Sequence, residues 1–267
     1  MVVAYSLTSS DIARVHGIIR PHVRETPVLG ANGSDLGLGP FRLTLKLEYL
    51  QHTGSFKSRG AFTNVLTRPV PPTGVAAASG GNHGVAVAYA AMRRGVRAKI
   101  FVPTVSSPAK VERIRHYGAE VVVAGDRYAD ALAASEQYVE ASQAMPIHAF
   151  DQVETMLGQG TVARELADQA PDIDTVMVAV GGGGLIAGIA SYVKALRPAI
   201  DVIGVVPFDA VAMYQSIAAG RRVTLERVGI FADGVAVREV GELTFPMVQA
   251  TVSEIVRVSN DEICAAI

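Results

Sequence analysis

The sequence predicts an α/β protein built on parallel sheets, and three observations lead there. From residue 75 onward, short apolar runs alternate with helix-length segments at the spacing of strand–helix–strand units, which imply parallel strands joined by right-handed crossovers. The composition agrees: 49% of the 267 residues are apolar, 18% are charged and 6% are aromatic, so Ala, Val, Gly and Ile must fill the interior. Such a mixture suits strands buried on both faces beneath helices better than amphipathic sandwich strands. Finally, several strand-to-helix connections are rich in glycine, as in folds that hold ligands at the carboxyl ends of their strands.

Taken in order, Ser9-Ser10-Asp11 ahead of Ile12, Val15, Ile18 and Ile19 reads as a capped amphipathic helix. Pro27-Val28-Leu29 and Leu43-Thr44-Leu45-Lys46-Leu47 read as short strands around a glycine-rich turn. After Ser55 a helix runs through Ala61, Phe62, Val65 and Leu66 until Pro69. Val75 to Ala78 is an apolar strand, followed by a glycine-rich turn and a helix from about Gly84 to Arg94. Ala98 to Val102 is the next strand, ended by Pro103; Pro108 opens a helix that closes at Gly118, and Glu120 to Ala124 is a third strand. Asp130 to Ser142 continues as helix. A second set comprises a helix from about Gly158 to Gln169, strand Thr175 to Val180, the run Gly181 to Gly184, helix Leu185 to Leu196 and strand Val202 to Val206. This pattern places one sheet in a small domain, residues 74–148, and the other in a large domain assembled from residues 1–73 and 149–267.

Bulk properties exclude several functions. The formal net charge is −1, and the pairs Arg93-Arg94 and Arg221-Arg222 read as solvated surface, so no electrostatic footprint for nucleic acid exists. A single cysteine, Cys264, permits neither an internal disulfide nor a cysteine metal cluster, and the six histidines show no ligand spacing. Met1 to Ser10 lacks the basic and apolar parts of a secretory signal, and no apolar run reaches the roughly 20 residues of a membrane helix. The expectation is a soluble cytoplasmic protein with no membrane partner.

Three turns carry the chemistry. In Thr53-Gly54-Ser55-Phe56-Lys57-Ser58-Arg59-Gly60-Ala61, a lysine opens a helix, whose positive end disfavours the protonated amine. Read alone, Lys57 is an ordinary surface lysine. Ser79-Gly80-Gly81-Asn82-His83-Gly84 offers backbone N–H groups to a carboxylate or phosphate, with Asn82 as a side-chain donor; in isolation it is a structural loop. Gly181-Gly182-Gly183-Gly184, between apolar strand and apolar helix, reads as a close-approach anion cradle. Gly182, Gly184 and Ala187 also satisfy a dinucleotide pattern, but the next strand ends Gly204-Val205-Val206-Pro207 without the acid that would hold a ribose. No Lys-Ser or Lys-Thr follows the glycines, which removes a nucleotide P-loop as well.

Together and in this order, the three turns resemble the pyridoxal-phosphate (PLP) enzymes of the serine/threonine dehydratase and serine racemase family. The matching stretches are Lys46 to Ala61, Ser79 to Gly84, Val180 to Leu185 and Ala232 to Val235, with weaker similarity along essentially the whole chain. The resemblance implies two parallel-sheet, three-layer domains of the tryptophan synthase β-like PLP-enzyme fold. It also implies roles: Lys57 forms the Schiff base and, once freed, removes the α-proton; Phe56 lines the cofactor ring; Asn82 bonds its phenolic oxygen. Gly181, Gly182, Gly183 and Gly184, with the N–H of Leu185, would cradle the phosphate. Ser55, Ser79, Gly80 and His83 would surround the substrate carboxylate, largely through backbone and hydroxyl donors, and Gly234 would offer its carbonyl near the substrate amine. The implied reaction is elimination of the β-hydroxyl from L-threonine or L-serine to a 2-oxo acid and ammonia, by a homodimer.

Three positions depart from the family pattern. Racemases carry a serine as second base where Gly80 stands, so elimination is expected over racemisation. Relatives that bind a divalent metal use acids at positions that read Val206 and Ala212 here; Asp209 alone makes a poor site, and no metal is expected. Relatives also continue for several dozen residues past a segment like Val258 to Ile263, and that tail supplies the Ser or Thr facing the pyridine nitrogen. Another PLP reaction on a 3-hydroxy amino acid, or a cofactor-binding protein without turnover, are the alternatives this leaves open; a nicotinamide dehydrogenase would rest on the glycine run alone.

Overall fold

A computed structural model describes residues 7–229 and 231–266 of the chain; Met1 to Ser6, and with them most of the segment read as lacking a signal, lie outside the described residues. The described residues form three sheets. Helix α1 (Ser9–Ile19) is capped by the Thr8 side chain, which accepts from the Asp11 amide, and buries Ile12, Val15 and Ile19. Strands β1 (Val28–Asn32) and β2 (Arg42–Lys46) form an antiparallel hairpin, after which helix α2 (Lys57–Thr67) begins at the lysine itself.

The second sheet is parallel, in the order β5-β4-β3-β6: β3 (Val75–Ala78), β4 (Ala98–Val102), β5 (Glu120–Val123) and the two-residue β6 (Met145–Pro146). Helices α3 (Asn82–Arg94), α4 (Pro108–His116) and α5 (Tyr128–Ser142) connect its strands. Side chains alternate across a strand, and the buried clusters follow suit. Ala77, Ile100 and Val102 pack with Val85, Ala88 and Ile114 of α3 and α4, whereas Ala78 and Phe101 pack with Ala131, Leu132 and Tyr138 of α5. The sheet is therefore sandwiched between helices on both faces.

The third sheet, also parallel, has the order β7-β8-β9, from β7 (Thr175–Ala179), β8 (Asp201–Pro207) and β9 (Glu254–Val258). Helix α6 (Val153–Gln169) packs against α1, α2 and α7 (Gly184–Leu196); α8 (Ala212–Ala219), α9 (Thr244–Thr251) and α10 (Asn260–Ala266) complete the chain's described elements. Helix α6 starts at Val153, not near Gly158; its N-cap Gln152 makes no side-chain capping bond, and an acid in the first turn, Glu154, is its one start signal.

Candidate active site

Lys57 is the first residue of α2, and its Nζ donates to the Ala149 carbonyl at 2.7 Å. Burial pushes its pKa down to about 8 by desolvation, so part of the amine is neutral near neutrality. Two residues on, Arg59 is fully buried and fixes the base of this turn. Its guanidinium donates to Glu48 (Nε to Oε2, 2.8 Å; Nη2 to Oε1, 2.7 Å) and to Glu165 (Nη1 to Oε1, 2.6 Å; Nη2 to Oε2, 2.9 Å). Lys46 closes the network, donating to Glu165 Oε2 at 2.7 Å and to the Thr26 carbonyl at 2.6 Å. Two cations meet two carboxylates here, which leaves no excess charge buried beneath the reactive amine.

The loop after β3 holds Ser79, Gly80, Gly81 and Asn82, at the carboxyl end of its strand. Ser79 Oγ accepts from the Gly81 amide at 3.1 Å, and Asn82 is the first residue of α3. His83 points elsewhere: its buried Nε2 meets the Ile147 carbonyl at 2.9 Å. Burial, reinforced by the charge of Lys57, lowers its pKa to about 3, so the ring is neutral and donates that bond. His83 can therefore serve a carboxylate only through its backbone N–H, at the open start of α3.

The glycine run behaves as a cradle built for close approach. A Cβ at Gly182 would lie 2.4 Å from the Phe150 ring, and Gly183, the N-cap of α7, has φ +96° with Thr244 Oγ1 2.8 Å from its Cβ position. Leu185 follows in the first turn of α7, whose leading N–H groups have no intrahelical partner. A Cβ at Gly181 would approach Val235 to 3.0 Å, so the turn that carries Gly234 lies against the cradle. Gly234 itself is exposed, and Phe56 sits with its ring centroid 5.1 Å from Lys57 Nζ.

What joins these parts is a stretch the sequence did not single out, His148 to Asp151. Ala149 holds Lys57; Phe150 packs on Gly182 and Gly184; Asp151 accepts the amides of Glu242, Leu243 and Thr244 at 2.8–3.2 Å. Thr244 Oγ1 in turn donates to the Gly182 carbonyl at 2.6 Å. His148 Nδ1 accepts the Asp151 amide at 2.8 Å, and burial lowers its pKa. Only the Asp151-to-helix pattern had a possible signal, an acid facing a helix start, and its partner lies 91 residues away.

The fit to PLP can be judged from these residues. The four glycines are packed so closely on Phe150, Val235 and Thr244 that a side chain at any of them would clash, which keeps the N–H groups of the turn bare of side chains, and an amine of lowered pKa is anchored on Ala149, next to Phe150. Ser55, 7% exposed, has a buried Oγ without a hydrogen-bond partner among the described residues, a hydroxyl available to a bound ligand. A cavity of about 350 Å³ between α5 and strands β3 and β6 reaches His148 and Ala149 from the far side of the sheet. A larger one, about 560 Å³, is lined by Phe208, Asp209 and Glu226 and shares no residue with the Lys57 site. Near it, Val206 and Ala212 are buried and Asp209 Oδ2 accepts from Asn260 Nδ2 at 3.3 Å; among the described residues no group of three or more His, Cys, Asp or Glu could hold a metal. No described helix is long and apolar enough to cross a membrane.

A buried lysine at the start of a helix, a close-packed run of four glycines and two parallel sheets match the pattern read from the sequence, and comparison with known proteins agrees. Residues 19–267 match the family model of pyridoxal-phosphate dependent enzymes, and the chain belongs to that family. Within it, the chain is 44% identical over 229 residues to a biosynthetic L-threonine dehydratase of Burkholderia multivorans, covering 84% of this chain and 45% of that protein. It is 38% identical over 251 residues to an L-threonine ammonia-lyase of Geobacter sulfurreducens, covering 93% of this chain and 62% of that one. The chain thus spans about half the length of the curated relatives it matches. Among solved structures, a threonine deaminase of Solanum lycopersicum, the processed form of isoform 2, superposes with a TM-score of 0.88 at 36% identity, covering 98% of this chain and 78% of that one. Maize serine racemase superposes with a TM-score of 0.93 at 34% identity, over 98% and 80% of the two chains. The tryptophan synthase β-like fold expected from the turns is the fold these neighbours share.

Proposed function

We propose that this chain holds PLP on Lys57 and removes the β-hydroxyl and α-proton of L-threonine or L-serine, yielding a 2-oxo acid and ammonia. The observation that carries the reading is a lysine amine of lowered pKa anchored on Ala149, whose neighbour Phe150 packs directly on Gly182 and Gly184 of the glycine run. Residues 74–148 act as a small domain facing a large one made of 1–73 and 149–267, with the site between them.

Gly181 to Gly184 and the Leu185 N–H would hold the phosphate, Phe56 would line the ring and Asn82 would donate to its phenolic oxygen. The bound cofactor supplies an electron sink that makes the α-proton acidic. Ser55 Oγ, the Ser79–Gly80 backbone and the N–H of His83 orient the substrate carboxylate, and the Gly234 carbonyl receives the substrate amine. The Lys57 amine takes the α-proton, and its lowered pKa suits a base working near neutrality. The hydroxyl leaves as water with one added proton, which balances the proton Lys57 takes, and the released enamine takes up water to give ammonia and the 2-oxo acid. Racemisation is the second reading, favoured by the likeness to maize serine racemase and opposed by Gly80, which has no side chain to deliver a proton. The protein works as a homodimer in the cytoplasm.

The test is an absorbance spectrum of the protein with PLP, then addition of L-threonine or L-serine and an assay for 2-oxo acid. A PLP band lost in Lys57→Ala, with oxo acid accumulating only in the wild type, is the expected result. A band without product from either amino acid sinks the elimination reading; turnover by Lys57→Ala sinks the role of the lysine.

A further inference from the structure

The direction in which residue 80 would present a side chain is not empty. A Cβ built on Gly80 falls 1.8 Å from Ser106 Oγ and 2.5 Å from Ser106 Cβ, so a hydroxyl from another loop stands where a side chain at position 80 would stand. Ser106 lies between β4 and α4, in a turn closed by its own amide on the Pro103 carbonyl at 3.0 Å. It is half-buried, and its hydroxyl has no hydrogen-bond partner among the described residues.

The helix that follows this serine reaches two other turns of the site. Lys110 Nζ donates to Asp233 Oδ2 at 2.6 Å, next to Gly234. Arg113 Nη2 donates to the Thr53 carbonyl at 3.2 Å, in the turn that leads to Ser55 and Lys57. The single stretch 106–113 therefore touches the loop after β3, the lysine turn and the 232–235 turn.

From this geometry we infer that Ser106 is a specificity-determining residue, which supplies to the substrate the hydroxyl that residue 80 lacks. The group it meets is the α-carboxylate or β-hydroxyl of a small 3-hydroxy amino acid. Glycine at 80 and serine at 106 form an exclusive pair: a side chain at one position requires its removal at the other. This rests on the proposed function only for the identity of the ligand; the exclusion between the two positions does not depend on it.

The experiment has two arms. In the first, PLP-loaded wild type and Ser106→Ala are titrated with L-threonine, following the PLP absorbance, while PLP affinity is measured separately by fluorescence. Loss of that hydrogen bond predicts threonine binding weakened on the order of tenfold with PLP affinity unchanged. In the second, thermal unfolding compares Gly80→Ala with Gly80→Ala/Ser106→Gly; the single variant melts lower than wild type and the double variant recovers most of the loss. Equal threonine affinity in wild type and Ser106→Ala overturns the inference, as does a parallel fall in PLP affinity. Gly80→Ala that melts like wild type, or is not rescued, overturns the exclusive pairing. Failure of the wild type to bind L-threonine or L-serine shows instead that the functional reading is wrong, and takes the specificity role with it.

Discussion

Replacing Glu165 with glutamine tests whether the buried charges beneath Lys57 hold the site as described. Glu165 has a side-chain exposure of 2%, its partner Arg59 0%, and Lys46 9%, so the three charges are cut off from water. In the wild type two carboxylates balance two cations; Glu165→Gln keeps the shape and leaves one positive charge in excess. Breaking a buried pair by removing one member costs roughly 3–5 kcal/mol. The lower end applies, because Arg59 retains both bonds to Glu48, and Lys46 retains Thr26 and Gln169. At about 2–4 °C per kcal/mol for a chain near this size, a loss of about 3 kcal/mol lowers Tm by about 6–12 °C. Calorimetry at neutral pH measures it, and a drop under about 2 °C would refute the reasoning. Acid adds a second check. Burial raises the Glu165 pKa, but the hydrogen bonds from Arg59 and Lys46 outweigh it and hold the folded value below the ordinary carboxylate range. The stabilisation is therefore complete above the unfolded pKa and lost as pH falls through the folded one, so the gap between wild type and variant must narrow in acid.

Other outcomes follow from the same geometry. Lys57 has a folded pKa near 8 against 10.5 unfolded, so the unfolded chain binds more protons between those values and stability of the PLP-free protein rises with pH across that window, by roughly 1–3 kcal/mol; Lys57→Ala abolishes this rise in urea unfolding series. Gly182→Ala drives a methyl into the Phe150 ring and should weaken PLP binding by about tenfold or more in fluorescence titration, with partial recovery in Gly182→Ala/Phe150→Ala. Asp151→Ala strips three amides of their acceptor and should cost about 2–4 kcal/mol, with hydrogen exchange accelerated at residues 242–244; unchanged exchange there counts against its role.

The sequence was most readable where local chemistry and structure coincide. Strands β3 and β4 fall where their apolar runs begin and end, because Gly74 and Ser79 bracket the first and Pro103 stops the second. Lys57, Asn82 and the four glycines could be picked out since a lysine at a helix start and a run of residues lacking Cβ are visible in one dimension. Strand β6 escaped, being two residues long with a proline that cannot donate to a ladder. Strand β9 escaped too, with Ile255 its one buried residue. Ala149 escaped for a deeper reason: it acts through its carbonyl, which every residue has. Ser106 is in the same position, since its meaning comes from Gly80, 26 residues earlier in the chain and visible only once the two loops are folded together. His83 shows the reverse case, a residue legible as polar whose ring the fold spends on Ile147.

The four residues from His148 to Asp151 also say something about how such a chain can vary. Each has a separate task in a different direction: one accepts its own loop's amide, one fastens the lysine, one floors the cradle, one gathers a distant helix start. Inserting or deleting a single residue there would hand each task to the wrong neighbour at once, whereas many single substitutions would disturb only one. This stretch is therefore guarded in its length more than in its lettering: the carbonyl at 149 can come from any amino acid, but it must come third after position 146.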